Sequence, residues 1–139
     1  MALHHDAKLD HLRGVRLFRN CSHKQLEHVA SIVDEIDIEA GRVLCRQGDA
    51  GHEAFVIIAG EGTVTVDGKV MDTVGPSTLV GEISLIDHGP RTATVTASSP
   101  MNLLVIPGNR FAQLLEEVPG LPVVIMRDLA AILRSLGQH

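Results

Sequence analysis

Tryptophan and tyrosine are absent from this 139-residue chain, and phenylalanine occurs only three times. Stacking surfaces for a flat ligand are therefore scarce, and any pocket must rely on aliphatic walls. Cysteine is nearly absent too. Cys21 and Cys45 lie far apart and fit neither a Cys-x-x-Cys pair nor a dense disulfide framework, so both read as reduced thiols. No apolar run approaches the ~20 residues of a membrane helix. The stretch from Met1 to Lys8 carries charge and histidine where a signal peptide needs an apolar core, which predicts a cytoplasmic chain with no membrane contact. A basic excess is also lacking. Twelve Lys and Arg stand against seventeen Asp and Glu, a formal charge of -5 that repels nucleic-acid phosphates and argues against direct DNA binding. One well-placed arginine can still hold a single phosphate, because local geometry decides that.

What is present suits one self-sufficient domain over residues 1–139: 45 % hydrophobic residues and enough length to bury a core without disulfides or metal. Leu9, Leu12, Val15, Leu17 and Phe18 suggest a short helix running into an apolar joint. Ser22 followed three residues later by Gln25 is a capping box, and Leu26, Val29, Ala30 and Val33 continue it as an amphipathic helix.

From Asp34 the period changes to short runs rich in β-branched residues, 35–38, 42–47, 53–59, 63–66, 69–74, 91–97 and 101–106, separated by glycine turns. Asp67-Gly68 reads as a hairpin tip. After Pro107, Asn109 is a candidate helix cap, with Phe111, Leu114, Leu115 and Val118 as the apolar stripe. Pro122 suits the first turn of a last helix, whose face carries Ile125, Leu129, Ile132, Leu133 and Leu136. The predicted class is α+β: an eight-stranded antiparallel β roll (jelly roll) over about residues 34–106, short N-terminal helices, and two C-terminal helices over about 109–136.

One stretch does not read as another strand. Leu79 to Thr94 follows the pattern Gly-Glu-apolar-small-Leu, a spacer, then Pro-Arg-Thr-Ala. Gly81 lets a bound group approach the backbone, and a short helical turn after it would aim free N–H groups at an anion. Arg91, nine residues after Glu82, can return across that turn and pair with phosphate oxygens. Such charge-assisted bonds contribute roughly 1.5 to 3 kcal/mol each. Glu82 does not favour a phosphate, but its carboxylate can accept from a ribose 2′-hydroxyl. An acidic acceptor beside a basic clamp suits a nucleotide's sugar-phosphate group.

This segment resembles the phosphate-binding cassette of the cyclic-nucleotide-binding domains in the regulatory subunit of protein kinase A, the catabolite activator protein and nucleotide-gated channels. The likeness runs through Ala40-Gly41-Arg42-Val43-Leu44 and Arg46-Gln47-Gly48-Asp49 to the Arg110-Phe111 helix. It implies that Glu82 meets the ribose, that Arg91 and the amides of Ile83 and Ser84 meet the cyclic phosphate, and that Thr92 faces phosphate and base. It further implies a base pocket of Val64 and Val74 covered by Ile132 or Leu136. Val80 and Ser84 depart from the phenylalanine and alanine common there, and neither change removes a polar contact.

The implied ligand is cyclic AMP, with cyclic GMP as the alternative, and no cofactor or metal. The implied output is a downstream protein, an output domain of a longer protein, or a homodimer through the C-terminal helix. Two rivals stand beside this reading. An inactive β-roll scaffold or interaction module would keep the fold without the ligand, and intact Glu82 and Arg91 speak against it. A cupin-like metal enzyme would need clustered His and Glu ligands, whereas His23 and His28 are five apart and the strands carry no His-x-His pair. No nucleophile or acid–base pair stands out, so no catalysis is expected.

Overall fold

The computed structural model describes residues 2–135 and 137, with side chains from Ala7 onward. Three N-terminal pieces come first: α1 (Ala2–Arg13), a 3-10 turn (Arg16–Phe18) and α2 (His23–Ile32). The capping box forms as its sequence requires. The Gln25 amide donates to Ser22 Oγ at 3.1 Å, and the Ser22 amide donates to Gln25 Oε1 at 2.7 Å. Leu26, Val29, Ala30 and Val33 are all buried, so the helical stripe faces the core.

Eight strands follow: β1 (Asp34–Ile38), β2 (Val43–Cys45), β3 (Glu53–Ala59), β4 (Gly62–Val66), β5 (Lys69–Val74), β6 (Leu79–Val80), β7 (Thr94–Ala97) and β8 (Met101–Pro107). They form two four-stranded sheets, in the orders β1-β8-β3-β6 and β2-β7-β4-β5, and every ladder is antiparallel. This is the eight-stranded roll. The expected strands 42–47 and 91–97 are shortened to β2 and β7 because their shared ladder shifts register between Val43 and Cys45. Beyond it, the Gln47 amide is taken by Thr94 Oγ1 at 3.0 Å. The eighth strand is the two-residue β6, which pairs with Phe55 and Val56 and is too short to show alternation.

Strand β3 explains how the layers join. Ala54, Phe55, Val56 and Ile57 are consecutively buried, a pattern that requires cover on both sheet faces. Phe55 and Ile57 point between the sheets, with Leu103 and Met101 of β8. Ala54 and Val56 point outward with Leu104 and Ile106, against α1, α2 and the two C-terminal helices, α4 (Gly108–Glu117) and α5 (Leu121–Ser135). Burying Leu12, Leu104 and Leu114, all 0 % exposed, contributes about 1.5–3 kcal/mol each.

The cap expected at Asn109 is not where α4 begins. Its N-cap is Pro107, and Asn109 lies within the first turn. The strand runs directly into the helix, and a tertiary acceptor does the capping: the Gly108 amide donates to the His52 carbonyl at 2.8 Å. Pro122 sits in the first turn of α5. That helix buries Leu121 and Ile125 and half-buries Leu129, whereas Ile132 and Leu133 are exposed. Leu136 lies outside the described residues.

Candidate functional site

Strand β6 delivers the chain to Gly81, which has φ +85°. An L side chain is strained in that left-handed conformation, and a Cβ here would also lie 2.5 Å from Nη1 of Arg91. Both conditions select glycine. The next residues form the short helix α3 (Glu82–Asp87), ending at His88 with φ +58°. Ile83 and Ser84 occupy its first turn, and Ser84 is 4 % exposed.

Pro90 and Arg91 bring the chain back. The Arg91 backbone is fixed on both sides, its amide donating to the Asp49 carbonyl at 2.8 Å and its carbonyl accepting from the Gly48 amide at 2.9 Å. Its guanidinium donates through Nη1 to the Gly81 carbonyl at 2.8 Å and through Nη2 to the Glu53 carbonyl at 2.7 Å. The side chain is 7 % exposed, yet among the described residues it makes no ion pair. Buried cations are normally matched by an anion. Here two carbonyl dipoles orient the group, and three of its five N–H donors stay uncommitted.

Burial pushes the Glu82 carboxyl upward in pKa; its own backbone amide lowers it, Asp128 of α5 raises it and Arg91 lowers it. The net direction is upward, because removal from water outweighs the neighbouring cation. Asp128 is in turn 3.6 Å from Arg16 of the 3-10 turn.

Gly81, Glu82, Ile83, Ser84, Arg91 and Thr92 line one cavity of about 50 Å³, closed by Cys45, Val80, Ala93 and Val95. Two open clefts adjoin it, one of about 460 Å³ that shares Cys45 and Arg91 and one of about 550 Å³ that shares Ser84, so space of ligand size, roughly 300–1,000 Å³, borders the cassette. Val64 and Val74 are half-buried against the core between the sheets and do not line this cavity. Ile132 is 49 % exposed and does not line it either.

Two site residues escaped the sequence reading. Cys45, read only as a reduced thiol, is buried in the core between the sheets and also lines the cavity; burial raises its pKa, with the charge of Arg91 opposing. Gly51 read as one turn glycine among several, but a Cβ on it would come within 2.6 Å of Ser84 Cβ and 3.0 Å of the Arg91 guanidinium. Glycine spacing alone carries no signal for this, because the contact joins segments far apart in the chain. The helical histidines pair with carboxylates, His23 with Glu27 at 3.1 Å and His28 with Glu117 at 2.6 Å. Among the described residues, no three of His, Cys, Asp and Glu are grouped to hold a metal ion.

The family model for the cyclic nucleotide-binding domain matches residues 35–118, from β1 through the cassette to the end of α4. The chain belongs to that family. It is 30 % identical over 107 residues to the cAMP-dependent protein kinase type II regulatory subunit of Drosophila melanogaster, covering 77 % of this chain and 28 % of the relative. The regulatory domain of Toxoplasma gondii PKA, solved with cAMP, is 31 % identical, with a TM-score of 0.68 over 81 % of this chain and 45 % of that one. A cAMP-bound PfPKA-R structure superposes at a TM-score of 0.84 and 22 % identity over 99 % of this chain and 49 % of that one, a likeness of fold. The chain spans between 25 % and 34 % of the lengths of the first five curated relatives it matches. No helix among the described residues is long and apolar enough to cross a membrane.

Proposed function

We propose that this domain is a cyclic AMP sensor without a reaction of its own, and that α4 and α5 pass its bound state on. One observation carries the reading: among the described residues Arg91 is buried without a carboxylate partner, while two backbone carbonyls aim its guanidinium at the cassette. A cyclic phosphate supplies the missing anion, bonded by the free N–H groups of Arg91 and the amides of Ile83 and Ser84. Glu82 accepts from the ribose 2′-hydroxyl; burial raises its pKa, and Arg91 acts in the opposing direction. Thr92, exposed at the cavity mouth, reaches phosphate and base.

Binding draws the short helix α3 inward toward the phosphate. Val64 and Val74 then form the floor for the base, and α5 swings Ile132 over it, a population shift set by the nucleotide's differential affinity for the two arrangements. The exposed Val123, Met126, Ile132 and Leu133 of α5 offer the surface through which a downstream protein, an attached output domain or a second copy reads that shift. We place this activity in the cytoplasm. The test is calorimetric titration of cyclic AMP and cyclic GMP into the wild type and Arg91→Ala. Saturable binding with tighter cyclic AMP is expected, weakened at least tenfold by Arg91→Ala, since one charge-assisted bond is worth about 1.5–3 kcal/mol. Absence of saturable wild-type binding refutes the sensor; equal binding by Arg91→Ala refutes the clamp.

A further inference from the structure

The loop of residues 48–53 wraps Arg91 on three sides. Gly48 and Asp49 hold its backbone, Glu53 holds Nη2 through a carbonyl, and Gly51 passes so close that a Cβ would strike both the guanidinium and Ser84. One peptide before Glu53, the His52 carbonyl accepts from the Gly108 amide, the first residue of α4. Gly108 is packed as tightly, for a Cβ there would lie 2.5 Å from the His52 carbonyl oxygen and 3.1 Å from Leu85 of α3. Consecutive carbonyls of one rigid stretch therefore face opposite ways, one gripping the arginine and the other the start of the C-terminal helices.

We infer that Gly51 and Gly108 are positioning residues and that the peptide pair His52–Glu53 links the state of the Arg91 guanidinium to α4. This deepens the sensor reading, on which its ligand arm rests. The two glycines let the loop lie flush against Arg91 on one side and α4 on the other, so a displacement of Glu53 is not absorbed by slack. When the guanidinium turns toward an anion, its bond to Glu53 pulls that peptide, and the His52–Gly108 bond changes with it. Coupling of this kind is reciprocal: disturbing the start of α4 must alter the arginine.

The test follows the Gly108 amide by NMR and by hydrogen exchange in the full chain. In Arg91→Lys, with no nucleotide added, a single ammonium cannot bond both the Gly81 and Glu53 carbonyls. The Gly108 amide should shift and exchange about fivefold faster, whereas the Gly68 amide at the β4–β5 tip should stay unchanged. Gly51→Ala is the second variant and should move the same amide in a folded protein. Cyclic AMP titrated into the wild type should move the Gly108 amide with the calorimetric binding curve. An unmoved Gly108 amide in both variants overturns the link, even if cyclic AMP binds. Failure of the wild type to bind cyclic AMP overturns the sensor reading, and the two variants then decide the link without it.

Discussion

Replacing Gly81 by alanine tests the site at its tightest point. The left-handed φ of +85° costs an alanine about 1–2 kcal/mol. The added methyl would sit 2.5 Å from Nη1 and 3.3 Å from Cζ of Arg91, so the guanidinium must give way, because it is the free end of a flexible chain. That movement breaks the Nη1 bond to the Gly81 carbonyl, which is worth about 1.5–3 kcal/mol as a bond from a charged donor. The expected loss is therefore about 2.5–5 kcal/mol, or roughly 8–17 °C in Tm for a chain of this size. Nucleotide affinity should fall roughly 10- to 100-fold, because the clamp no longer points at the cassette. Gly68→Ala is the internal standard. Gly68 has a comparable φ of +79° but nothing within 4 Å, so alanine there should cost only the backbone strain and leave affinity unchanged. Thermal unfolding and calorimetric titration of both variants decide the matter. Equal losses in the two would mean that the collision with Arg91 has no consequence, and the account of the clamp would be wrong.

Two further outcomes follow from the same geometry. Gly60→Ala should destabilise the protein by about 3–5 kcal/mol, because φ is +93° and its Cβ would press into the Pro100 carbonyl and Met101 Cα, backbone atoms that cannot swing aside; a Tm within about 2 °C of wild type would contradict this. Glu82→Gln should stabilise the ligand-free protein at pH 7 while weakening nucleotide binding. Burial raises the Glu82 pKa on folding, so the folded state holds its proton to higher pH than the unfolded chain. The associated stability is complete below the unfolded value of about 4.3 and is lost as pH rises through the folded value. The stability gap between Glu82→Gln and wild type should therefore close on acidification, as read from unfolding at pH 7 and pH 4; a gap that widens toward low pH would reverse the sign of the reasoning.

Much of this domain was legible because its signals are local. The capping box at Ser22 and Gln25 involves neighbouring peptides, and β3 and β5 match the expected 53–59 and 69–74 to the residue because their runs are long and bounded by glycine. Strand β6 was not legible, since two residues have no period and pair only because β3 lies beside them. The start of α4 was misplaced for a similar reason: Asn109 looked like a cap, but the His52 carbonyl, from the other side of the cassette, satisfies the first amide.

The sequence by itself determined the roll, its helical flanks and the chemical types at the cassette, because periodicity, turn residues and the Gly-Glu and Pro-Arg-Thr elements all act over a few neighbouring positions. The setting of Arg91 comes from packing instead. Its burial and its two carbonyl partners, from β3 and the residue that follows β6, depend on segments 38 and 10 residues away. Contacts of that kind are set by the packing of sheets and loops, and no local pattern encodes them.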